Sequence, residues 1–179
     1  DVRVYNRALS ANEVTQLYRI GQPAKVNAPI TNRLTTGLVG YWTMDGKDIV
    51  GTSIEDKSTN NNYGVMTNMP TAAIASTPGK IGQGLKFDGA DDFVSIPNHA
   101  SLDTTTAFTL AYWFRPSSLH GLVLISRHRQ ATSPISGWVT WLETTGAISF
   151  QLRAGNVCCQ TLTTASTISV NQWYHVVNT

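Results

Sequence analysis

Apolar positions in this chain follow two periods. In residues 1–5, DVRVY, polar and apolar side chains alternate, the period of a half-buried strand. Ser10 then precedes Glu13 by three residues, the spacing of a capping box. In that box the Ser hydroxyl accepts from the Glu N–H and the Glu carboxylate accepts from the Ser N–H. Leu9 and Val14 flank the cap as a hydrophobic staple, and Val14, Leu17 and Tyr18 form one apolar stripe at i, i+3 and i+4. A short helix over residues 10–18 is predicted, stopped by Gly21. Residues 21–37, GQPAKVNAPITNRLTTG, contain two prolines and no apolar period, and read as an extended linker.

From residue 38 onward the period is two. LVGYWTMD (38–45) is a first strand, and IEDKSTNNNYGVM (54–66) is an Asx-rich turn leading into a short strand. GQGLKFDGADDFVSIP (82–97) predicts a hairpin folded about Asp88-Gly89-Ala90-Asp91. FTLAYWFRP (108–116) sets Phe108, Leu110, Tyr112 and Phe114 on one face, as a central strand would. LVLISR, GWVTWLET, AISFQLRAG, VCCQTLTT and QWYHVV complete the series. Many short strands with Gly, Asn and Asp turns mean an all-β, antiparallel β-sandwich or jelly roll with one short N-terminal helix. Its expected core includes Leu85, Phe87, Phe93, Ile96, Phe108, Leu110, Tyr112, Phe114, Ile148 and Phe150.

Composition narrows the class. Only 13% of the 179 residues are charged, and the formal net charge of +2 is mild and evenly spread along the chain, which argues against a nucleic-acid surface. Thr, Ser, Asn and Gly outweigh Lys and Glu, as in secreted bacterial β proteins. No apolar run approaches the ~20 residues of a membrane span, and any export signal is expected outside these residues. Cys158 and Cys159 are adjacent and so face opposite sides of a strand as free thiols. His99, His120, His128 and His175 are scattered, so no metal or redox site of Cys and His is expected.

Three kinds of chemistry remain. Glycoside hydrolysis of the retaining type needs two carboxylates about 5 Å apart. The three glutamates, Glu13, Glu55 and Glu143, are each isolated, so no enzyme activity is assigned. Asp45, Asp88, Asp91 and Asp92 fall at strand ends and turns, and Asp56 opens the Asx-rich turn. Such residues either hold a structural calcium or cap backbone N–H groups in Asx turns. Trp141 lies opposite in face to Trp138 and Leu142 and shares its own with Val139. It either stacks on a sugar ring, with Arg127, Arg129, Gln151 and Arg153 as hydrogen-bonding neighbours, or packs on the sheet rim. Trp42, Trp113 and Trp173 are read as core.

In order and spacing, GLVGYWTMDG, DKSTNNNYG, GKIGQGLKFDGADDFVSIPNHASLDTTTAFTLAYWFRP and NQWYHVV resemble the laminin-G-like jelly-roll domain of the concanavalin A-like lectin/glucanase superfamily, in the form common in large bacterial surface proteins. DVRVYNRALSANEV resembles the closing strand and helix of the same domain type. The resemblance implies a concanavalin A-like jelly roll over residues 37–179 without its closing strands, a linker over 21–36, and the tail of a preceding repeat over 1–20. An alternative is that residues 1–18 dock on the body as a permuted closing strand, with Asp1–Tyr5 pairing at an edge and Leu9, Val14, Leu17 and Tyr18 partly covered. The resemblance further implies a non-catalytic module, extracellular or at the cell surface, that binds carbohydrate or serves adhesion. Its partner would be a glycan or a host- or cell-surface polymer, not nucleic acid, and structural calcium is a feature of relatives with this fold. A spacer repeat without ligand and an accessory domain of a polysaccharide-degrading enzyme are the alternatives.

Overall fold

The structure, a computed structural model, describes residues 1–22, 34–69, 76–103, 107–129, 136–154 and 157–179, and at 128, 129, 136, 153, 154 and 157–159 the backbone alone. Two compact units divide the chain: Asp1–Trp113 with His175–Thr179, and Phe114–Tyr174.

Unit 1 begins with β1 (Val2–Tyr5) and α1 (Ala11–Ile20), followed by β2 (Leu38–Trp42), β3 (Ile49–Val50), β4 (Ser53–Ile54), β5 (Gly64–Thr67), β6 (Ser76–Pro78), β7 (Gln83–Leu85), β8 (Phe93–Ser95) and β9 (Thr109–Phe114). Unit 2 holds β10 (Leu122–Arg129), β11 (Ser136–Leu142), β12 (Ile148–Ala154) and β13 (Val157–Thr163), and β14 (Tyr174–Asn178) returns to unit 1. One sheet of unit 1 has the order β14-β9-β1-β2. Asp1–Tyr5 was expected to pair with an edge of the body, and β1 pairs with two strands of it: Val4 faces Gly40 of β2 on one side and Leu110 of β9 on the other. β2 is therefore joined to β9 only through β1.

The helix forms as its sequence predicts. Ser10 Oγ accepts from the Glu13 N–H at 3.4 Å, and Glu13 Oε2 accepts from the Ser10 N–H at 2.9 Å. Arg7 Nη2 lies 2.6 Å from Glu13 Oε1, and the Arg7 bond, then the Ser10 N–H, lowers the Glu13 pKa to about 2. Of the apolar stripe Leu17 is buried and Val14 half-buried: Leu9 and Leu17 join Tyr5, Leu34 and Ala111 in one cluster, with Val14, Ile20, Leu38 and Val177 packed against it. Tyr18 remains 47% exposed but stacks on Trp113, centroids 5.7 Å apart. Gly21 caps the helix with φ −84°, so no left-handed turn demands glycine there. The Trp113 ring does, since a Cβ at Gly21 would stand 2.5 Å from it.

Of the expected linker, residues 23–33 lie outside the described residues. Its end is anchored: Leu34 is buried, its carbonyl accepts from the Tyr5 hydroxyl at 3.1 Å, and the Thr36 carbonyl accepts from Arg7 Nε at 2.9 Å. The Asx-rich turn is a second anchor. The buried Asp56 carboxylate accepts from the N–H groups of Tyr41, Ser58 and Asn62 at 2.8–2.9 Å, and Asn62 Nδ2 donates to the Val39 carbonyl.

Two expectations about residues 82–97 do not hold. β7 pairs with β6 and β8 with β5, so the strands flanking Asp88–Asp91 are not a hairpin. The connection is too long for a two-residue turn, and it closes on itself through the bond from the Asp88 N–H to Asp92 Oδ2 at 2.8 Å. Phe87 and Phe93 are 47% and 48% exposed, not core. In the short β8 the inward position belongs to Val94, and the period of two turns Phe93 and Ser95 outward.

Candidate functional site

Unit 2 is an antiparallel sheet in the order β10-β11-β12-β13. Residues paired across neighbouring strands share a face. One face carries Leu142, Ile148, Thr140, Phe150 and Trp138, and the first four are buried. On the other face, Val123, Trp141, Ser149 and Thr163 form one row, and Ser126, Val139, Gln151 and Thr161 the next. This second face meets solvent in part: Val123 is 62% exposed and Ser126, Thr161 and Thr163 are exposed, Val139 and Gln151 are half-buried, and Ser149 is fully buried.

Trp141 is half-buried at the centre of that row. Its indole Nε1 donates to Glu143 Oε1 at 2.6 Å, and Ser149 Oγ donates to the same oxygen at 2.8 Å. Ser149 Oγ and Thr163 Oγ1 are 2.8 Å apart, and Gln151 Nε2 donates to Thr161 Oγ1 at 3.3 Å. The ring is thus fixed in orientation by a carboxylate and rimmed by hydroxyls and an amide. Glu143 owes its position to the tight connection of β11 to β12. Its N–H donates to the Ala147 carbonyl at 2.8 Å and its carbonyl accepts from the Gly146 N–H at 2.9 Å. Gly146 adopts φ +86° and a Cβ there would stand 2.8 Å from the Ile168 carbonyl oxygen, so the connection requires glycine.

Of the residues expected around Trp141, Gln151 shares its face. Arg127 does not: it pairs with Trp138, on the opposite face, because β10 shifts register between Val123 and Ile125. The side chains of Arg129 and Arg153, and of Cys158 and Cys159, lie outside the described residues. Glu143 was missed as the partner of Trp141, and Ser149 and Thr163 as its neighbours along the row. The signal for Glu143 was its spacing, two residues beyond Trp141 and so on the same side of an extended segment.

In unit 1, carboxylate oxygens of Asp88, Asp91 and Asp92 lie within 4.8 Å of one another. Each also serves the loop: Asp88 Oδ1 accepts from the Ala90 N–H, Asp92 Oδ2 from the Asp88 N–H, and Asp91 Oδ2 from Asn68 Nδ2. The Ala90 N–H is the main reason the Asp88 pKa is lowered. Three hard oxygen donors, those of Asp88 and Asp91 exposed and that of Asp92 half-buried, fit a calcium ion in chemistry. Asp45 stands apart from this trio, accepting from the Gln83 N–H at 2.6 Å and facing Lys47 at 3.4 Å.

A laminin G model described as the concanavalin A-like lectin/glucanases superfamily matches residues 88–179. Among solved structures, the chain is similar to the crystal structure of an S-layer domain-containing protein (residues 221–444) from Clostridium thermocellum ATCC 27405, with 20% identity and a TM-score of 0.61 over 73% of this chain. The chain spans 58% of that structure's length, and at this identity the likeness concerns the fold alone. No curated protein matches the chain. Among the described residues, the antiparallel sheets with one α-helix are consistent with a concanavalin A-like sandwich.

Proposed function

The chain belongs to the concanavalin A-like lectin/glucanase superfamily, and on that premise we propose that it is a non-catalytic module of the cell surface or extracellular space whose unit 2 binds carbohydrate on the Trp141 face. One observation carries this reading: a half-buried indole, oriented by Glu143 above the buried Ser149, with Thr163, Gln151 and Thr161 on the same sheet face. Axial C–H groups of a pyranose suit the indole π face, and hydroxyl and amide groups fix the sugar's orientation. Glu143 is the only carboxylate between Phe114 and Tyr174, whereas glycoside hydrolysis uses two flanking the bond. The surface location is supported by the similarity to an S-layer domain-containing protein. Residues 1–20 are read as a closing strand and helix of the repeat type, which the insertion of β1 between β2 and β9 supports.

Trp141→Ala is expected to abolish retention of the protein on the polysaccharide gels that the native chain binds. Because Trp141 is half-buried and donates to Glu143, some stability is lost too, on the order of 1–2 kcal/mol. A loss of the ~3–5 kcal/mol typical of a fully buried Trp, with retention unchanged, would make the residue a packing element of a spacer without ligand.

For calcium, we propose Asp88, Asp91 and Asp92 as ligands, with Asp45 outside the set. Added calcium should raise the melting temperature in a concentration-dependent way, and EDTA should reverse it, since a ligand bound only to the folded state stabilises by mass action. Identical melts in calcium and EDTA would leave the three as turn formers.

A further inference from the structure

In unit 1 the sheet face beneath α1 holds an imidazole. β1 and β9 pair so that Arg3 faces Ala111, and the Trp113 N–H donates to the Asp1 carbonyl at 3.2 Å. By the period of two, Asp1, Arg3, Ala111 and Trp113 share that face. A small cavity there is lined by these four residues, by Leu17 of α1 and by His175 of β14. The His175 ring stacks on Trp113 with centroids 4.8 Å apart, and Tyr18 of α1 lies 6.1 Å from the one and 5.7 Å from the other. β14 stands at the end of the order β14-β9-β1-β2, so among the described residues its ladder is with β9 alone.

The neutral ring suits this place and the charged ring does not. β1 brings Arg3 and Asp1, with its α-ammonium, to the cavity, and α1 brings Tyr18 against the ring. β9 contributes Ala111 and Trp113, which do not titrate, and Tyr174, the other titratable residue of β14, points to the other face. Lys80 Nζ stands 5.5 Å from the Trp113 ring centroid. The carboxylate that lines the cavity, that of Asp1, has both oxygens bonded to Arg3, Oδ1 to Nε at 3.2 Å and Oδ2 to Nη2 at 3.0 Å. An imidazolium here would therefore join cations without a carboxylate of its own. Burial first, and Arg3 second, lower the His175 pKa from 6.5 to about 4. Burial, then Arg3, lower that of the α-ammonium from 8.0 to about 6.

We propose that His175 is an acid-sensitive latch, which holds β14 on β9 while its ring is neutral and releases that edge strand from the sheet when the ring takes a proton. A His whose pKa is lower in the closed form than in the open one binds fewer protons when closed. The closed form is thus fully favoured above about pH 6.5 and loses ground as pH falls toward 4. Glu13, its pKa lowered from 4.5 to about 2, loses its contribution only below about pH 4.5. Measurements at about pH 5 and above therefore see His175 and not that carboxylate.

The test is hydrogen exchange of the full chain at about pH 7 and about pH 5, corrected for intrinsic rates, in β14 (Tyr174–Asn178) and in β2 (Leu38–Trp42) as internal reference. The whole shift would raise the opening constant about twentyfold over that interval. With the ring only half-buried, a loss of protection of about tenfold is expected in β14, against less than about twofold in β2. His175→Phe keeps a flat ring on Trp113 and removes the proton site, and the loss in β14 should shrink to within about threefold. A loss of the native size in His175→Phe assigns it to the α-ammonium of Asp1 and overturns the proposal. So does an equal loss in β14 and β2, which is global unfolding, and so does a native β14 whose protection is the same at both pH values. Independently of any variant, the His175 imidazole followed by NMR in the native chain should titrate below about pH 5, and a midpoint near its ordinary 6.5 overturns the latch.

Discussion

Tyr5→Ala is expected to lower the unfolding free energy of unit 1 by about 3–5 kcal/mol, the range for deleting a large buried aromatic ring. Tyr5 is 0% exposed and sits where β1, α1 and the segment before β2 converge, against Leu9, Leu17, Leu34 and Ala111. Its hydroxyl ties Leu34 to β1 at 3.1 Å. Since β1 lies between β2 and β9 in the sheet, loosening it weakens both ladders at once. A domain's net stability is only about 5–15 kcal/mol, so the substitution removes a large share. Tyr5→Phe separates packing from polarity: it keeps the ring and leaves the Leu34 carbonyl without its donor, a cost of about 1–3 kcal/mol. Urea denaturation measures both. If Tyr5→Ala costs under about 1 kcal/mol, β1 is not held in the sheet as described.

Asp56→Ala should be comparably severe for a different reason. Asp56 Oδ1 accepts from the N–H groups of Tyr41 and Ser58, and Oδ2 from the Asn62 N–H and the Ser58 hydroxyl. Removing a 4% exposed carboxylate strands three backbone donors, each worth about 1–3 kcal/mol when left unmet, for a sum on the order of 5 kcal/mol. The damage spreads further, because the Asn62 carbonyl accepts from Trp42 Nε1 at 2.7 Å and its amide donates to Val39 and Ser101. Asp56→Asn keeps one acceptor oxygen and should lose roughly half as much. The midpoint of urea unfolding should fall with its slope unchanged. Equal stability of Asp56→Ala and the native chain would mean that water replaces the carboxylate and that the turn is not built on it.

The candidate site was partly legible. The period of two separated Trp141 from Trp138, and β11 obeys it. Arg127 was misplaced because a register shift in β10 lies between it and Val123, and such a shift reverses faces without any mark in residue type. Glu143 looked isolated in sequence because its partner Ser149 comes from the following strand, where Ser149 is in turn bonded to Thr163 of the strand after that.

By itself the sequence determined what depends on neighbours along the chain. The Ser10–Glu13 cap, the apolar stripe of α1 with Leu17 buried, the strands at LVGYW, TLAYWF and GWVTWL, and the all-β class are consequences of backbone sterics and of short-range spacing. Tertiary structure alone decided which strand pairs with which. β1 entered the middle of a sheet, β7 and β8 turned from each other to β6 and β5, Phe87 and Phe93 faced outward, and Arg127 came to the face opposite Trp141. Pairing depends on which edges remain open once every other strand has found its place, and on burial summed over residues far apart in the chain. No local period encodes that sum.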